Sequence, residues 1–252
     1  MTTSVAQEAN TTTKHAYCSR SGLAAGSNLT KEQWLQRRRE DPYWRRAKEL
    51  GYPSRAAFKL LEIQRRWKII REGYRVLDLG AAPGGMAAVA SDIVGEKGLV
   101  VAVDREPLQL IRPNIVPIQT DIYEARLTKD VQTALGQGFF DVVVSDLSPH
   151  HSGDYDLLVE QQLDLLEASL SLCHRFLRRG GNAVFKAFEH PRLRVFERKM
   201  MTCFWRVERY VPRSTKKGSS EIFLLGLGYR GPARRRLSQQ RPAAHPQEEH
   251  QS

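Results

Sequence analysis

Six short apolar stretches of this chain carry, at or near one end, a residue able to do chemistry. YRVLDLG closes on Gly80, LVVAVD on Asp104, IVPIQTD on Asp121 and FFDVVVSD on Asp146. NAVFKAFE carries Lys186 near its end, and EIFLLGLGY begins on Glu221. Carboxylates bind hydroxyls and cations. A lysine among them can take a proton, provided nearby positive charge or desolvation favours its neutral form. Singly, each residue has an ordinary structural explanation, such as an N-capping aspartate or a lysine reaching water. Their shared position at strand ends is the stronger signal, because open α/β sheets bind ligands beyond the carboxyl ends of their strands.

The first stretch continues into DLGAAPGG, a glycine turn opening a helix. Dinucleotide-binding turns read GxGxxG and present backbone amides to a pyrophosphate. Here Ala82 replaces the middle glycine and Pro83 removes an N–H donor, so the turn is poorly made for a diphosphate. It suits an adenosyl ligand without phosphate, with Gly84 and Gly85 permitting close approach. Asp104 stands 20 residues after Gly84, the range expected of an acid gripping ribose hydroxyls.

The elements that would position these residues alternate. From Tyr74 the pattern runs strand, glycine turn, helix, strand, and helical stretches separate most of the β-rich runs; DYDLLVEQQLDLLEASLSLCHRFLRR is the longest. This argues a mostly parallel sheet covered on both faces. FWRVERYV and EIFLLGLGY, joined by the polar PRSTKKGSS, suit an antiparallel pair. An antiparallel last strand begins at the same edge, which brings in Glu221. Upstream, KEQWLQRRRED and PYWRRAKELG read as short basic helices. SRAAFKLLEIQRRWKII reads as a helix capped by Ser54. Residues 1–30 read as a disordered leader, 31–229 as one domain with a basic helical part at 31–73, and 230–252 as a disordered basic tail.

The chain has 252 residues and a formal net charge of +11, so a polyanionic partner is expected. Between Lys31 and Arg75, 14 Lys or Arg face 6 Asp or Glu, with Trp34, Tyr43, Trp44, Tyr52, Phe58 and Trp67 interleaved. That segment is the expected docking surface for the polyanion. Three scattered cysteines offer neither a zinc pattern nor a disulfide framework, and favour a reducing cytoplasm. No apolar run reaches membrane-spanning length. No metal site is expected.

GYPSRAAFKLLEI, VLDLGAAPGG, VAVDREP, VVSDLSPHHSG, AVFKAF and SSEIFLL occur in one order. On these pieces the chain, from about Asp41 to Arg230, resembles the FtsJ/RlmE family of S-adenosylmethionine-dependent RNA 2′-O-ribose methyltransferases. The resemblance implies an α/β, Rossmann-like class I methyltransferase fold, with a mostly parallel seven-stranded sheet, an antiparallel last strand and helices on both faces. It implies a catalytic tetrad of Lys59, Asp146, Lys186 and Glu221, with Lys186 as general base. Cofactor contacts map to Gly84, Met86, Asp104, Asp121 and Asp146. The expected substrate is a ribose, that of a uridine, in large-subunit ribosomal RNA or a ribosomal particle, methylated by a cytoplasmic monomer. The tRNA anticodon loop is the alternative, and a non-catalytic RNA-binding protein of the same fold is a more distant one. Two departures stand out. Met86 sits where many relatives have tryptophan, and the usual KxFQG reads KAFEH, placing Glu189 and His190 beside the lysine. His150 and His151 are read as loop residues facing RNA rather than metal ligands.

Overall fold

The computed structural model describes residues 40–149 and 154–232. The predicted leader, residues 31–39 of the predicted helix KEQWLQRRRED, His150, His151 and all of the tail beyond Pro232 lie outside the described residues.

Seven strands form one sheet: β1 (Arg75–Leu79), β2 (Leu99–Asp104), β3 (Ile115–Gln119), β4 (Phe140–Ser145), β5 (Leu177–Phe188), β6 (Phe204–Tyr210) and β7 (Glu221–Tyr229). Their order is β3-β2-β1-β4-β5-β7-β6. The first five are parallel, whereas β7 runs antiparallel to both neighbours, so β6 points the same way as β5. The predicted sheet, including its reversed last strand, is the one observed.

Side-chain alternation along each strand divides the core in two. Leu77, Leu79, Val143, Phe185 and Leu224 face one side. There they meet α4 (Leu127–Leu135), α5 (Tyr155–Phe176) and α6 (Leu193–Cys203). Val76, Val144, Val184, Phe223 and Leu225 face the other, against α2 (Ala56–Trp67) and α3 (Gly85–Val94). The helix α1 (Pro42–Glu49) starts with a proline after Asp41, whose carboxylate accepts from the amides of Tyr43 and Trp44. Tyr43 meets Phe58 of α2 edge-on, 5.5 Å between ring centroids.

Two boundaries differ from expectation. Helix α2 begins after Arg55, and Ser54 does not cap it. A side-chain cap needs extended backbone at the capping residue, and Arg55 is already helical at φ −63°, ψ −17°. Helix α5 stops at Phe176, because Leu177 is extended and pairs with Phe140, which puts Arg178 and Arg179 in β5. The connection from β2 to β3 contains no helix.

Among the described residues, no helix is long and apolar enough to cross a membrane. Cys173 and Cys203 are free and buried, and burial pushes the Cys173 thiol far above its ordinary value.

Candidate active site

Alternation explains how four distant residues meet. Lys186 follows Val184 by two positions and Glu221 precedes Phe223 by two, so both share the face covered by α2 and α3. In the antiparallel register Lys186 pairs with Phe223 and Phe188 with Glu221, which makes Lys186 and Glu221 diagonal neighbours. Ser145 turns to the opposite face, where its hydroxyl lies 3.2 Å from that of Ser169 on α5. The next residue, Asp146, therefore joins the lysines, and Lys59 reaches them from α2.

The resulting cluster is tight. Lys59 Nζ lies 2.8 Å from Glu221 Oε1 and 3.8 Å from Asp146 Oδ1. Lys186 Nζ donates to the Asp146 carbonyl at 2.5 Å and lies 3.2 Å from Asp146 Oδ1. The two lysines are 8% and 7% exposed, so four formal charges sit almost out of water. Burial costs each of them dearly, and only mutual pairing makes the arrangement tenable. Burial alone raises the Asp146 carboxyl, but Lys186 and Lys59 outweigh it and hold it below the ordinary carboxylate value. Burial lowers Lys59, but Asp146 and Glu221 outweigh that and hold it above the ordinary lysine value. Asp146 Oδ1 is buried and accepts no aligned hydrogen bond, so the two ammonium groups hold it by charge.

Beside this cluster lies the glycine turn. Gly84 adopts φ +123°, a conformation that side chains resist, and precedes α3 directly. At Gly85 a Cβ would stand 2.1 Å from Ser54 Oγ, so glycine there lets the start of α2 close on the start of α3. The carboxylate of Asp104 braces the turn, accepting from the Ala82 amide at 2.9 Å on one oxygen and from the Glu106 amide at 2.9 Å on the other. Asp121, after β3, accepts from the Tyr123 amide and lies 3.4 Å from Arg105. Met86 is buried in the core between α3 and the sheet, so its side chain is a packing element behind the turn.

Four participants escaped the sequence reading. Asp78, in β1, is 1% exposed and neither carboxylate oxygen has a hydrogen-bond partner. Burial, then Asp146 and Asp104, raise its carboxyl well above the ordinary value. The signal was present, since it is an acid inside an otherwise apolar strand. Ser54 Oγ, withdrawn from its capping duty, is likewise buried without a partner beside the turn. Glu62, one helical turn after Lys59, accepts from the amides of Arg213 (2.7 Å) and Ser214 (3.0 Å) and from the Tyr210 hydroxyl (3.2 Å). It thereby ties the β6–β7 loop to α2, next to the strand start that carries Glu221. Gln162 on α5 donates to the Lys186 carbonyl at 2.9 Å and fixes the backbone from the other face.

A family model described as FtsJ-like methyltransferase matches residues 52–229, a span containing Lys59, Asp146, Lys186 and Glu221. The chain belongs to the FtsJ-like methyltransferase family. This FtsJ-like protein is 39% identical over 201 residues to ribosomal RNA large subunit methyltransferase E of Methanothermobacter thermautotrophicus, covering 79% of this chain and 95% of that relative. It is 37% identical over 205 residues to the protein of the same description from Coxiella burnetii, covering 79% of this chain and 96% of the relative. A crystal structure from Plasmodium falciparum, described as a ribosomal RNA methyltransferase, superposes with a TM-score of 0.63 at 21% identity, covering 71% of this chain and 100% of that one. That likeness is one of fold. The mostly parallel seven-stranded sheet and the family membership make this FtsJ-like chain a methyltransferase of Rossmann-like architecture.

Proposed function

We propose that this FtsJ-like protein transfers a methyl group from S-adenosylmethionine to a ribose 2′-hydroxyl, that of a uridine, in large-subunit ribosomal RNA. The observation that carries this reading is the buried cluster of Lys59, Asp146, Lys186 and Glu221 at the carboxyl edge of the sheet, beside the glycine turn. The two relatives described as ribosomal RNA large subunit methyltransferase E support the substrate.

The residues present fit S-adenosylmethionine. The turn at Gly84 lets a ligand approach the backbone, Asp104 keeps further acceptor capacity for ribose hydroxyls, and Asp121 lies at the end of the neighbouring strand. Met86 would contribute through the wall behind the turn. When bound, S-adenosylmethionine supplies the activated methyl group and a positive charge.

In this reading Lys186 takes the proton that the 2′-hydroxyl sheds as it attacks. Asp146 aims that amine through its carbonyl and its carboxylate. Lys59 adds positive charge beside Asp146. Glu221 neutralises Lys59 and prevents the two cations from opening the site. Fixing the hydroxyl in line with the methyl supplies much of the remaining rate gain.

All four residues come from one chain, which supports a monomer, and two free buried cysteines support a reducing cytoplasm. The deciding experiment supplies labelled S-adenosylmethionine with large-subunit ribosomal RNA, with assembled particles and with tRNA, then maps the 2′-O-methyl group. Label on a uridine ribose of large-subunit RNA is the expected result. Label on tRNA alone, or on a base, would overturn it.

A further inference from the structure

At the opposite end of the sheet, Trp205 is 77% exposed, an unusual state for the largest apolar side chain. It is the second residue of β6, which runs parallel to β5, so it lies at the amino ends of the strands, away from Lys186. The indole rests against Gly228, where a Cβ would stand 2.9 Å from Trp205 Cδ1. Arg230 lies over the ring with its guanidinium carbon 5.0 Å from the ring centre, and is itself held by donation to the Met201 carbonyl at 2.7 Å. Arg179 reaches the same corner, with Nη2 3.5 Å from where a Cβ on Gly231 would be. Among the described residues, neither Arg179 nor Arg230 forms an ion pair with a carboxylate. From Pro232 the sequence continues through Ala233 into Arg234, Arg235 and Arg236.

An exposed indole with one face backed by an arginine, flanked by unpaired positive charge, has the chemistry of a stacking platform for single-stranded nucleic acid. We infer that Trp205, Arg230 and Arg179 form a second RNA-binding surface, where a base stacks on the indole and the arginines hold adjacent phosphates. This deepens the functional reading above and rests on it. Five steps along β6 separate Trp205 from Tyr210, which pairs with Phe223, the partner of Lys186, about 17 Å at ~3.3 Å per residue. The two surfaces therefore hold different parts of one RNA, and the platform contributes affinity and orientation without touching the reacting ribose. Charge favours RNA over a protein partner here, because Arg179 and Arg230 are both cations.

The test compares binding of a fluorescein-labelled polyuridylate of about 30 nucleotides to the wild type, Trp205→Ala, Trp205→Phe and Arg230→Ala. Expected are a loss of about tenfold for Trp205→Ala, most of the affinity kept by Trp205→Phe, and a shallower salt dependence for Arg230→Ala. Quenching of the Trp205 fluorescence by the same RNA, measured as the signal lost in Trp205→Phe, is the second readout. If Trp205→Ala unfolds, that quenching still decides, and its absence overturns the proposal. Equal affinity of wild type and Trp205→Ala overturns the platform alone. Failure of the wild type to bind RNA at all overturns the RNA reading of the enzyme. Unchanged RNA affinity with weakened binding to ribosomal particles would show a protein contact and also overturn the platform.

Discussion

Lys186 touches Asp146 twice, donating to its carbonyl at 2.5 Å and lying 3.2 Å from its Oδ1. A carbonyl contact does not depend on the protonation of any carboxyl, so the amine stays aimed even when the charge balance around it changes. Replacing Lys186 by Ala removes the proposed proton acceptor and leaves Asp104, Asp121 and the glycine turn in place. The single-turnover rate of methyl transfer should fall by about 10² to 10⁴, with S-adenosylmethionine affinity almost unchanged. A lysine base must shed its own proton first, so the wild-type rate should rise with pH, and the variant's residual rate should not. Substantial turnover by Lys186→Ala with the wild-type pH profile would place the base elsewhere.

Lys59 and Glu221 give the site its stability window. Lys59 is held above the ordinary lysine value of 10.5, so its contribution is full below that value and lost as pH rises through the raised one. Asp146 is held below the ordinary 3.8, so its contribution is present above that value and lost as pH falls through the lowered one. Glu221→Gln leaves Lys59 facing only Asp146, at 3.8 Å. The variant should lose stability at neutral pH, toward the lower end of the ~3–5 kcal/mol typical of a broken buried pair. The difference from wild type should narrow on the alkaline side as Lys59 loses its proton. Urea melts of both proteins across pH would show a constant difference if the pairing argument is wrong.

What was legible in the sequence depended on period and residue type. The strands were plain because most are short apolar runs rich in β-branched or aromatic residues, and alternation then put Lys186 and Glu221 on one face. The failure at Ser54 has a local cause: a good capping residue preceded a helix whose first backbone turn formed at Arg55. Sequence propensity does not register that the α2–α3 contact at Gly85 claims the Ser54 side chain. Nothing in the sequence marks Glu62, because its partners are backbone amides 151 and 152 residues away. Trp205 was hidden for the opposite reason. An aromatic in a strand is ordinarily core, and only the three-dimensional edge of the sheet exposes it.

Glu62 is where loop order and catalysis should separate. Its carboxylate holds two amides of the β6–β7 loop and the Tyr210 hydroxyl, while the tetrad contacts do not include it. Glu62→Ala should cost about 1–3 kcal/mol of stability, and Glu62→Gln less, because an amide oxygen can still accept. With the loop loosened, Glu221 should be less well placed, so the transfer rate should drop by a smaller factor than in Lys186→Ala. Amide hydrogen exchange at Arg213 and Ser214 offers the direct check. Unchanged protection there in Glu62→Ala would mean that the loop is held by other contacts.

Asp78 makes the most counter-intuitive prediction, a substitution beside the site that strengthens the fold. Its carboxyl is held well above 3.8 by burial and by Asp146 and Asp104, and no protein donor meets it. A native state that keeps its proton longer than the unfolded chain loses stability as pH rises from 3.8 through the raised value, then levels off. Asp78→Asn keeps the shape, removes the ionisation and should abolish that descent. At neutral pH the variant should be more stable than the wild type, because the buried polar group remains but the deficit that ionisable Asp78 accumulates above pH 3.8 does not. Denaturant melts from the acid side of the transition to neutral pH measure both slopes. A variant whose stability falls with pH as steeply as the wild type would show that Asp78 carries no such penalty.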